Sequence, residues 1–215
     1  LENERALGRD IRIVYSILDA IKIAEENPDK KIIFLGIGFE TTTPGSAIGI
    51  LTAENKGLKN FFLYSAHKVM PPAMSALIDE DVKIDGYIGP GHVSAITGTG
   101  IYNFIAEELG LGVVIAGFEP LDLLQAILML VKQFESGKPA VEIAYSRVVN
   151  HEGNLIAQQK VNQVFEPRDD WWRGLGILPD SGLGTRSEYA AFDAENVFEV
   201  EVEPTKKDGA CICGS

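Results

Sequence analysis

The sequence predicts an α/β fold in which mostly parallel sheets carry helices on both faces, with room for two similar lobes. Three observations support this prediction. Apolar, β-branched runs alternate with helix-like patterns along residues 1–168, at the spacing of βαβ crossovers. The strand-like runs are continuously apolar, as in a sheet covered on both faces. The phrase Gly-Phe-Glu follows a strand-like run twice, at residues 38–40 and 117–119, and a helix-like pattern follows it each time.

The first half of the chain alternates strictly between strand and helix patterns. In the first helix, the apolar residues Ile17, Leu18, Ile21 and Ile23 are expected on the inner side. Pro72 lies early enough in its helix to occupy the first turn. The predicted elements are a strand at 11–15, a helix at 17–26, a strand at 32–37, a helix at 44–53, a strand at 61–65 and a helix at 71–78.

The alternation continues to Pro167 and then stops. The predicted elements are a strand at 84–88, a helix at 102–109, a strand at 113–116, a helix at 121–134, a strand at 141–145 and a helix at 154–164. Residues 169–180 are rich in Trp, Gly and Pro, which predicts irregular structure or short helices. Residues 195–203 alternate acidic and apolar side chains, which predicts a one-sided or edge strand. We therefore divide the chain into an α/β region at 1–168, containing parts of two lobes, and an irregular C-terminal segment at 169–215.

The composition narrows the class of protein. The net charge of −12 argues against nucleic-acid binding, which normally needs a basic patch. The longest apolar stretch, residues 121–132, is too short to span a bilayer, and the N-terminus shows no signal-peptide pattern. Only two cysteines are present, so a cytoplasmic protein is expected. Because the sequence does not begin with Met, we also expect a fragment of a longer protein.

Chemically useful residues follow four consecutive predicted strands. The carboxyl ends of parallel strands meet at one edge of a sheet, and ligands bind there. The sequence therefore predicts a ligand-binding edge, with two glutamates, two histidines and a row of hydroxyl groups. The residues concerned are Gly38, Phe39, Glu40, Thr41 and Thr42; His67; Pro90, Gly91, His92 and Ser94; and Gly117, Phe118, Glu119 and Pro120.

Most of these residues also have a purely structural interpretation. Glu40 and Glu119 stand at helix starts, where a carboxylate gains ~0.3–1 kcal/mol from the helix dipole. Residues 41–43, all threonines, are suitable N-caps. His67, taken alone, is expected to be a hydrogen-bonded surface histidine. For each acidic or hydroxyl residue taken alone, capping is the favoured interpretation.

The Gly-Pro-Gly turn before His92 favours a functional role for this histidine over a purely structural one. Two glycines around a proline let the backbone approach a ligand closely, and a histidine held there can act as an acid, a base or a metal ligand. The sequence contains no P-loop, complete dinucleotide-binding fingerprint or nucleophile elbow. Cys211 and Cys213, one residue apart, suit metal ligation better than a disulfide, and could supply one or two ligands to zinc or an iron–sulfur cluster. An ordinary reduced tail is the alternative.

Six motifs occur in order along nearly the whole chain: GFETTTP at 38–44, GPGHVSAITG at 89–98, AGFEPLDLL at 116–124, YSRVV and EGN within 145–154, WRGLGILPDSGL at 172–183, and CICG at 211–214. Taken together, they resemble the HypD family of [NiFe]-hydrogenase maturation factors. The resemblance implies a cytoplasmic protein on which the Fe(CN)₂CO unit of the hydrogenase is assembled. It also implies two α/β lobes, a [4Fe–4S] cluster near the C-terminus, and two partners, the small protein HypC and the cyanide-delivering HypE.

The resemblance also implies which residues act. Family members carry iron-binding cysteines in a region that would precede Leu1, and their cluster-binding stretch starts near Cys211 and continues past Ser215. The chain therefore looks like the central and C-terminal part of such a protein, with Cys211 and Cys213 as part of the cluster's ligand set. The Gly-Phe-Glu and Gly-Pro-Gly-His motifs are expected to line one cleft, with His92 and Glu40 as proton handlers or polar anchors for cyanide nitrogen.

Three hypotheses follow for the function. The first is a scaffold for metallocofactor assembly that holds the iron unit and relays electrons, rather than an enzyme with rapid turnover. The second is an α/β enzyme that uses His92 with Glu40 or Glu119 as an acid–base pair on a small anionic substrate. The third is a lobe that only docks partner proteins.

Overall fold

The chain forms two parallel sheets and one antiparallel hairpin in the residues that the computed structural model describes, 1–78 and 83–199. The predicted α/β class with mostly parallel sheets is confirmed. The helices are α1 (Glu2–Ala6), α2 (Ile17–Glu26), α3 (Thr43–Asn55), α4 (Met70–Leu77), α5 (Gly91–Thr97), α6 (Asn103–Glu107), α7 (Pro120–Ser136), α8 (Leu155–Val164) and α9 (Ala194–Val197). The strands are β1 (Ile32–Gly38), β2 (Phe61–His67), β3 (Gly86–Pro90), β4 (Gly112–Ala116), β5 (Val141–Ile143), β6 (Phe165–Trp172) and β7 (Gly176–Thr185). Short 3₁₀ helices occupy Gly100–Tyr102 and Ser187–Phe192.

The first lobe is a parallel pair of strands with helices packed against it. β1 pairs with β2 over the whole length of both strands, so that Gly38 lies opposite His67. α2 begins and ends where predicted, because Ser16 and Asp19 form a capping box at its start. The buried core of this lobe includes Ile17, Ile21, Ile50, Phe61 and Leu63.

The second lobe is a parallel sheet in the order β3-β4-β5. All of β4 is buried, as its continuously apolar sequence predicts. α7 has Pro120 in its first turn and ends at Gly137, which adopts a left-handed conformation with φ of 62°. No helix in residues 1–78 and 83–199 is both long and apolar enough to cross a membrane. The core includes Tyr102, Ile105, Val113, Ile115 and Val149.

The last part of the chain returns to the first lobe. α8 leads into the antiparallel β6–β7 hairpin, whose residues Phe165 and Leu183 join the core of the first lobe. The Ser65 hydroxyl in β2 donates to the carbonyl of Leu183 at 2.6 Å. The Arg168 guanidinium donates to the carbonyl of Ser65 at 2.7 Å. The first lobe is therefore completed by residues more than a hundred positions away along the chain.

Three predictions about the first lobe are wrong. Residues 11–15 form no strand, and in the described part of the chain they pair with none. Leu18 is half exposed, because the buried face of α2 consists of Ile17, Ala20, Ile21 and Ala24. β1 is apolar on both faces but is covered on one, which leaves Ile33, Leu35 and Ile37 exposed.

The C-terminal segment also differs from its prediction. Residues 169–180 lie mostly in the β6–β7 hairpin rather than in irregular structure or short helices, and the turn uses Gly174 and Gly176 with φ of 87° and 82°. Residues 195–197 belong to helix α9 rather than to a strand, because the Asp193 carboxylate accepts the Glu195 N–H at 2.9 Å and caps the helix. The rest of the predicted strand after residue 199 lies outside the described residues.

Candidate functional site

Glu40, in the first Gly-Phe-Glu turn, caps a helix other than the one that follows it. β1 ends at Gly38, and α3 begins at Thr43, three residues beyond Glu40. The Glu40 Oε1 atom accepts the N–H of Met70, the first residue of α4, at 2.7 Å. Its Oε2 atom is buried and has no hydrogen-bond partner among the residues that the structure describes. Burial raises the pKa of Glu40, so the acid holds its proton to higher pH than an exposed glutamate.

The threonines after Glu40 stabilise the turn from within. The Thr42 and Thr43 hydroxyls both donate to the carbonyl of Phe39, at 3.0 Å each. Thr42 occupies the N-cap position of α3, but its side chain makes no capping hydrogen bond. Thr41 is exposed. Thr42 therefore stands at the N-cap position, as expected, but its hydroxyl does not cap the helix.

His67 is part of the core, and its predicted surface location is wrong. Its side chain is 1% exposed, and its Nε2 atom lies 2.8 Å from the Ser46 hydroxyl. The ring meets Phe165 edge-on at 6.0 Å. Burial lowers the pKa of His67 to about 4. The imidazole is therefore neutral at physiological pH.

Gly91 and Gly117, two glycines of the predicted ligand-binding edge, both lie against the ring of Tyr145. Tyr145 follows β5, and its ring lies against the backbone of Gly91 and Gly117. A Cβ atom would lie 2.7 Å from the ring at Gly91 and 2.8 Å at Gly117, closer than real contacts allow. The residues after Gly91 form helix α5, so the predicted Gly-Pro-Gly loop is a strand end, at Pro90, that passes directly into a helix.

Arg147 joins two strand ends of the second lobe. Its guanidinium donates two hydrogen bonds to the Asp122 carboxylate, at 2.6 and 2.7 Å, and lies 3.2 Å from Glu119 Oε2. It also lies over the Tyr145 ring, 4.4 Å from the ring centre. The hydrogen bonds from Arg147 lower the pKa of Asp122, and those to Asp122 raise the pKa of Arg147. Sequence reasoning did not single out Tyr145, Arg147 or Asp122, although the position of Tyr145 and Arg147 after β5 was a usable signal.

His92 is exposed in the first turn of α5, where its ring meets Phe118 edge-on at 4.8 Å. The structure therefore brings together the Gly-Pro-Gly-His and second Gly-Phe-Glu motifs. Within residues 1–78 and 83–199, no hydrogen bond or ion pair joins His92 to Glu40 or to Glu119. The acid–base pair stays a prediction.

Ser94 and Tyr102 form a buried polar pair beside His92. The Ser94 hydroxyl donates to the carbonyl of Pro90 at 2.9 Å and lies 3.3 Å from the Tyr102 hydroxyl. Burial, with a smaller contribution from the charge of Glu40, raises the pKa of Tyr102 to about 12. Glu40 and Thr97, the last residue of α5, line the same cavity, so the first Gly-Phe-Glu turn and the helix that carries His92 lie near each other.

The predicted metal ligands, Cys211 and Cys213, lie outside the described residues. In residues 1–78 and 83–199, no group of three or more His, Cys, Asp and Glu side chains is arranged to hold a metal ion.

Comparisons with known proteins agree along the whole chain. Residues 1–215 match the family model HypD, described as "Hydrogenase formation hypA family". Hydrogenase maturation factor HypD2 of Bradyrhizobium diazoefficiens is 49% identical over 98% of this chain and 58% of its own length. The HypD proteins of Rhodobacter capsulatus and Escherichia coli are 43% and 44% identical over 100% and 98% of this chain, and over 59% and 57% of their own lengths. The chain thus spans less than three-fifths of these relatives, and it belongs to the HypD family.

Proposed function

We propose that this chain supplies the two α/β lobes of a hydrogenase maturation scaffold, on which the Fe(CN)₂CO unit is assembled as cargo. The observation that carries the proposal is the family match over every residue of the chain, together with relatives that are named hydrogenase maturation factors. The geometry adds support, because the family-like motifs lie at the carboxyl ends of parallel strands, where ligands bind in α/β proteins.

Glu40 and His92 are the groups that we assign to the cargo. Glu40 is a buried acid with a raised pKa, so it can present a proton to a ligand such as cyanide nitrogen. His92 is exposed beside Phe118 and can exchange protons with solvent or with a docked partner. Gly38, Gly91 and Gly117 act by shaping the backbone around these side chains.

The proposal includes a [4Fe–4S] cluster in the complete protein, with Cys211 and Cys213 among its ligands. Such a cluster supplies one-electron transfer when it is bound. We also propose that HypC and HypE are the partners and that the protein works in the cytoplasm. These features rest on the family membership of the chain.

A chimera tests the proposal. Residues 1–215 replace the matching region of the Escherichia coli HypD, which is 44% identical, in a strain that lacks its own HypD. We expect the chimera to restore hydrogenase activity and, purified anaerobically, to contain iron and sulfide. The same chimera with His92→Ala should fold but restore less activity.

The controls separate folding from function. Circular dichroism and an unfolding transition verify that each chimera is folded. A folded, iron-containing chimera that restores no hydrogenase activity contradicts the proposed function. Full activity of His92→Ala would leave the scaffold role intact and would remove His92 from it.

A further inference from the structure

Strand β1 has a free edge along its whole length. In residues 1–78 and 83–199, it pairs with β2 alone. At the two ends of this pairing, the Ile32 N–H donates to the Asn60 carbonyl at 2.7 Å, and the Gly38 carbonyl accepts the Lys68 N–H at 2.9 Å. The even-numbered residues of β1 therefore direct their main-chain groups towards β2.

The odd-numbered residues of β1 direct their main-chain groups towards the free edge. Successive residues of a strand point these groups to alternate sides, so those of Ile33, Leu35 and Ile37 meet no strand in the described part of the chain. Native proteins protect such an edge with a proline, a charged side chain or a bulge. The sequence of β1, IIFLGIG, has no proline or charge, and its pairing with β2 is regular. These features are typical of a strand that has a second neighbour.

A groove follows the free edge. It consists of two cavities, of about 680 and 450 Å³, which share Phe34 and Leu35 in their walls. Consecutive residues form one wall, 30–35 in the first cavity and 34–37 in the second. Because consecutive side chains of a strand point to opposite faces of the sheet, a groove that touches all of them runs along the edge. The seven residues of β1 extend about 23 Å, which is the length of an ordinary strand.

The opposite wall of the groove has the sequence of a strand. Ile13 and Val14 line the first cavity, and Tyr15 lines the second. They belong to residues 11–15, the β-branched and aromatic run that was predicted to be a strand and forms none. Ile13 and Tyr15 are 76% and 98% exposed. A strand in the groove would lie between this run and β1, and would give both of them a neighbour.

The relatives are long enough to supply such a strand. This chain corresponds to between 57% and 59% of the length of the HypD proteins compared above, so about two-fifths of each relative lies outside the match. Parallel sheets seldom consist of two strands, since further βαβ units normally extend and cover them. A second copy of this chain fits less well, because the groove has two walls and admits a single extended segment more easily than the edge of another sheet.

We propose that the groove between β1 and residues 10–18 binds a β-strand from the part of the full-length protein that lies outside this chain. The strand pairs with the outward main-chain groups of Ile33, Leu35 and Ile37, and so extends the sheet of the first lobe beyond β1 and β2. The inference rests on the longer relatives and not on the role in hydrogenase maturation.

Residue-resolved amide hydrogen exchange tests the proposal, on the 215-residue chain and on the complete chimera with Escherichia coli HypD. In the 215-residue chain, the amides of Ile33, Leu35 and Ile37 should exchange fast, whereas those of Phe34 and Gly36, which face β2, should exchange slowly. In the chimera, the three outward amides should slow by about a hundredfold or more, because they exchange only when the added strand opens. Hydrogenase activity is not the readout, so an inactive chimera tests the inference equally well.

Two variants at one position separate strand pairing from simple shielding. Leu35→Pro and Leu35→Ala both remove the leucine side chain, but only proline lacks the N–H, and a strand edge tolerates proline where that N–H faces solvent. In the chimera, Leu35→Pro should speed the exchange of Ile33 and Ile37 by about tenfold or more, and Leu35→Ala should not. In the 215-residue chain, both variants should keep the slow exchange of Phe34 and Gly36.

Three results would overturn the proposal. Slow exchange of the outward amides in the 215-residue chain would mean that the edge is filled from within this chain or by a second copy. Fast exchange of these amides in a folded chimera would mean that no strand is added. Equal effects of the two Leu35 variants would mean that the amides are shielded without being paired. If the chimera does not fold, the aligned amides of unaltered Escherichia coli HypD decide, with slow exchange expected and fast exchange contradicting the proposal.

Discussion

The strand ends of the two lobes carry the same two side chains in opposite environments. The first lobe has Glu40 and His67, which are 9% and 1% exposed and have no charged partner within residues 1–78 and 83–199. The second lobe has Glu119 and His92, which are both exposed. Burial shifts the pKa of Glu40 upward and that of His67 downward, so both favour the uncharged form. Glu119, by contrast, is held as one member of an ion pair with Arg147.

The residue three positions after each glutamate explains the difference between the turns. After Glu119, that residue is Asp122, which binds Arg147 with both carboxylate oxygens and so places a cation beside Glu119 at the surface. After Glu40, it is Thr43, whose hydroxyl donates to the carbonyl of Phe39 and attracts no cation. Glu40 therefore binds the Met70 N–H in the interior. The repeated Gly-Phe-Glu sequence therefore occurs in both turns, and the residue three positions after the glutamate determines whether a cation lies beside it.

The largest expected difference between the two strand ends is in acid stability. His67 has a pKa of about 4 in the folded chain and 6.5 in the unfolded one, so the unfolded state binds a proton first as the pH falls. The free energy of unfolding therefore falls by up to about 3 kcal/mol between pH 7 and pH 4. Urea unfolding across this range should show that His67→Gln lacks this loss. His92→Gln, changed at the exposed strand end, should keep the profile of the unaltered chain; a similar change in both variants would break the comparison.

The next effect concerns the packing of the second strand end. Gly117→Ala places a methyl group against the Tyr145 ring and the Asp122 carboxylate. We expect the free energy of unfolding to fall by about 1–3 kcal/mol, as in overpacked cores. Denaturant unfolding measures the change. Gly45→Ala, at an open position in α3, should be neutral or slightly stabilising. Equal stability of the two variants would mean that Gly117 is not required for packing.

A smaller effect is expected from the buried acid. The pKa of Glu40 is raised on folding, so the folded state binds more protons and its stability falls as the pH rises between the unfolded and folded values. Glu40→Gln removes this loss while keeping an oxygen for the Met70 N–H. In that interval, the free energy of unfolding of the variant should rise relative to that of the unaltered chain by up to about 1.4 kcal/mol per pH unit. A stability difference that does not vary between pH 4 and pH 8 would contradict the burial argument.

The smallest effect is expected at the exposed glutamate. Glu119 is 76% exposed and its partner Arg147 keeps the two stronger hydrogen bonds to Asp122. Glu119→Gln should change the free energy of unfolding by less than about 0.5 kcal/mol, and added salt should remove the difference. A change above about 1 kcal/mol that persists in salt would show that this turn is as strongly coupled to the fold as the Glu40 turn.

Local sequence patterns predicted the regular elements well and the long-range ones poorly. Helix α2 and strand β4 follow from capping residues and continuous apolar character, which are local signals. The β6–β7 hairpin was missed because Trp, Gly and Pro suggest irregular structure, whereas its pairing depends on distant contacts such as that of Arg168 with the Ser65 carbonyl. The open face of β1 could not be predicted either, because an apolar side chain does not reveal whether anything covers it.

In the candidate site, too, local signals could be read from the sequence and long-range contacts could not. The positions after strand ends selected Glu40, His92 and Glu119, but they did not indicate that Glu40 is buried whereas His92 and Glu119 are exposed. The contact of Gly91 and Gly117 with the Tyr145 ring could not be predicted, because Tyr145 is distant in sequence from both glycines. Asp122 and Arg147 are important because they form two hydrogen bonds with each other. A single sequence does not reveal that the two residues are in contact.

The return of the chain to the first lobe has a consequence for biosynthesis. The core of the second lobe is complete once Val149 has left the ribosome, since its members lie between Met74 and Val149. The core of the first lobe begins at Ile17 but also needs Phe165, Leu183 and Phe192. Contacts of such high sequence separation form late. We therefore expect the lobe that is translated second to fold first, while the nascent first lobe exposes apolar surface until the hairpin arrives, and is the part that chaperones protect.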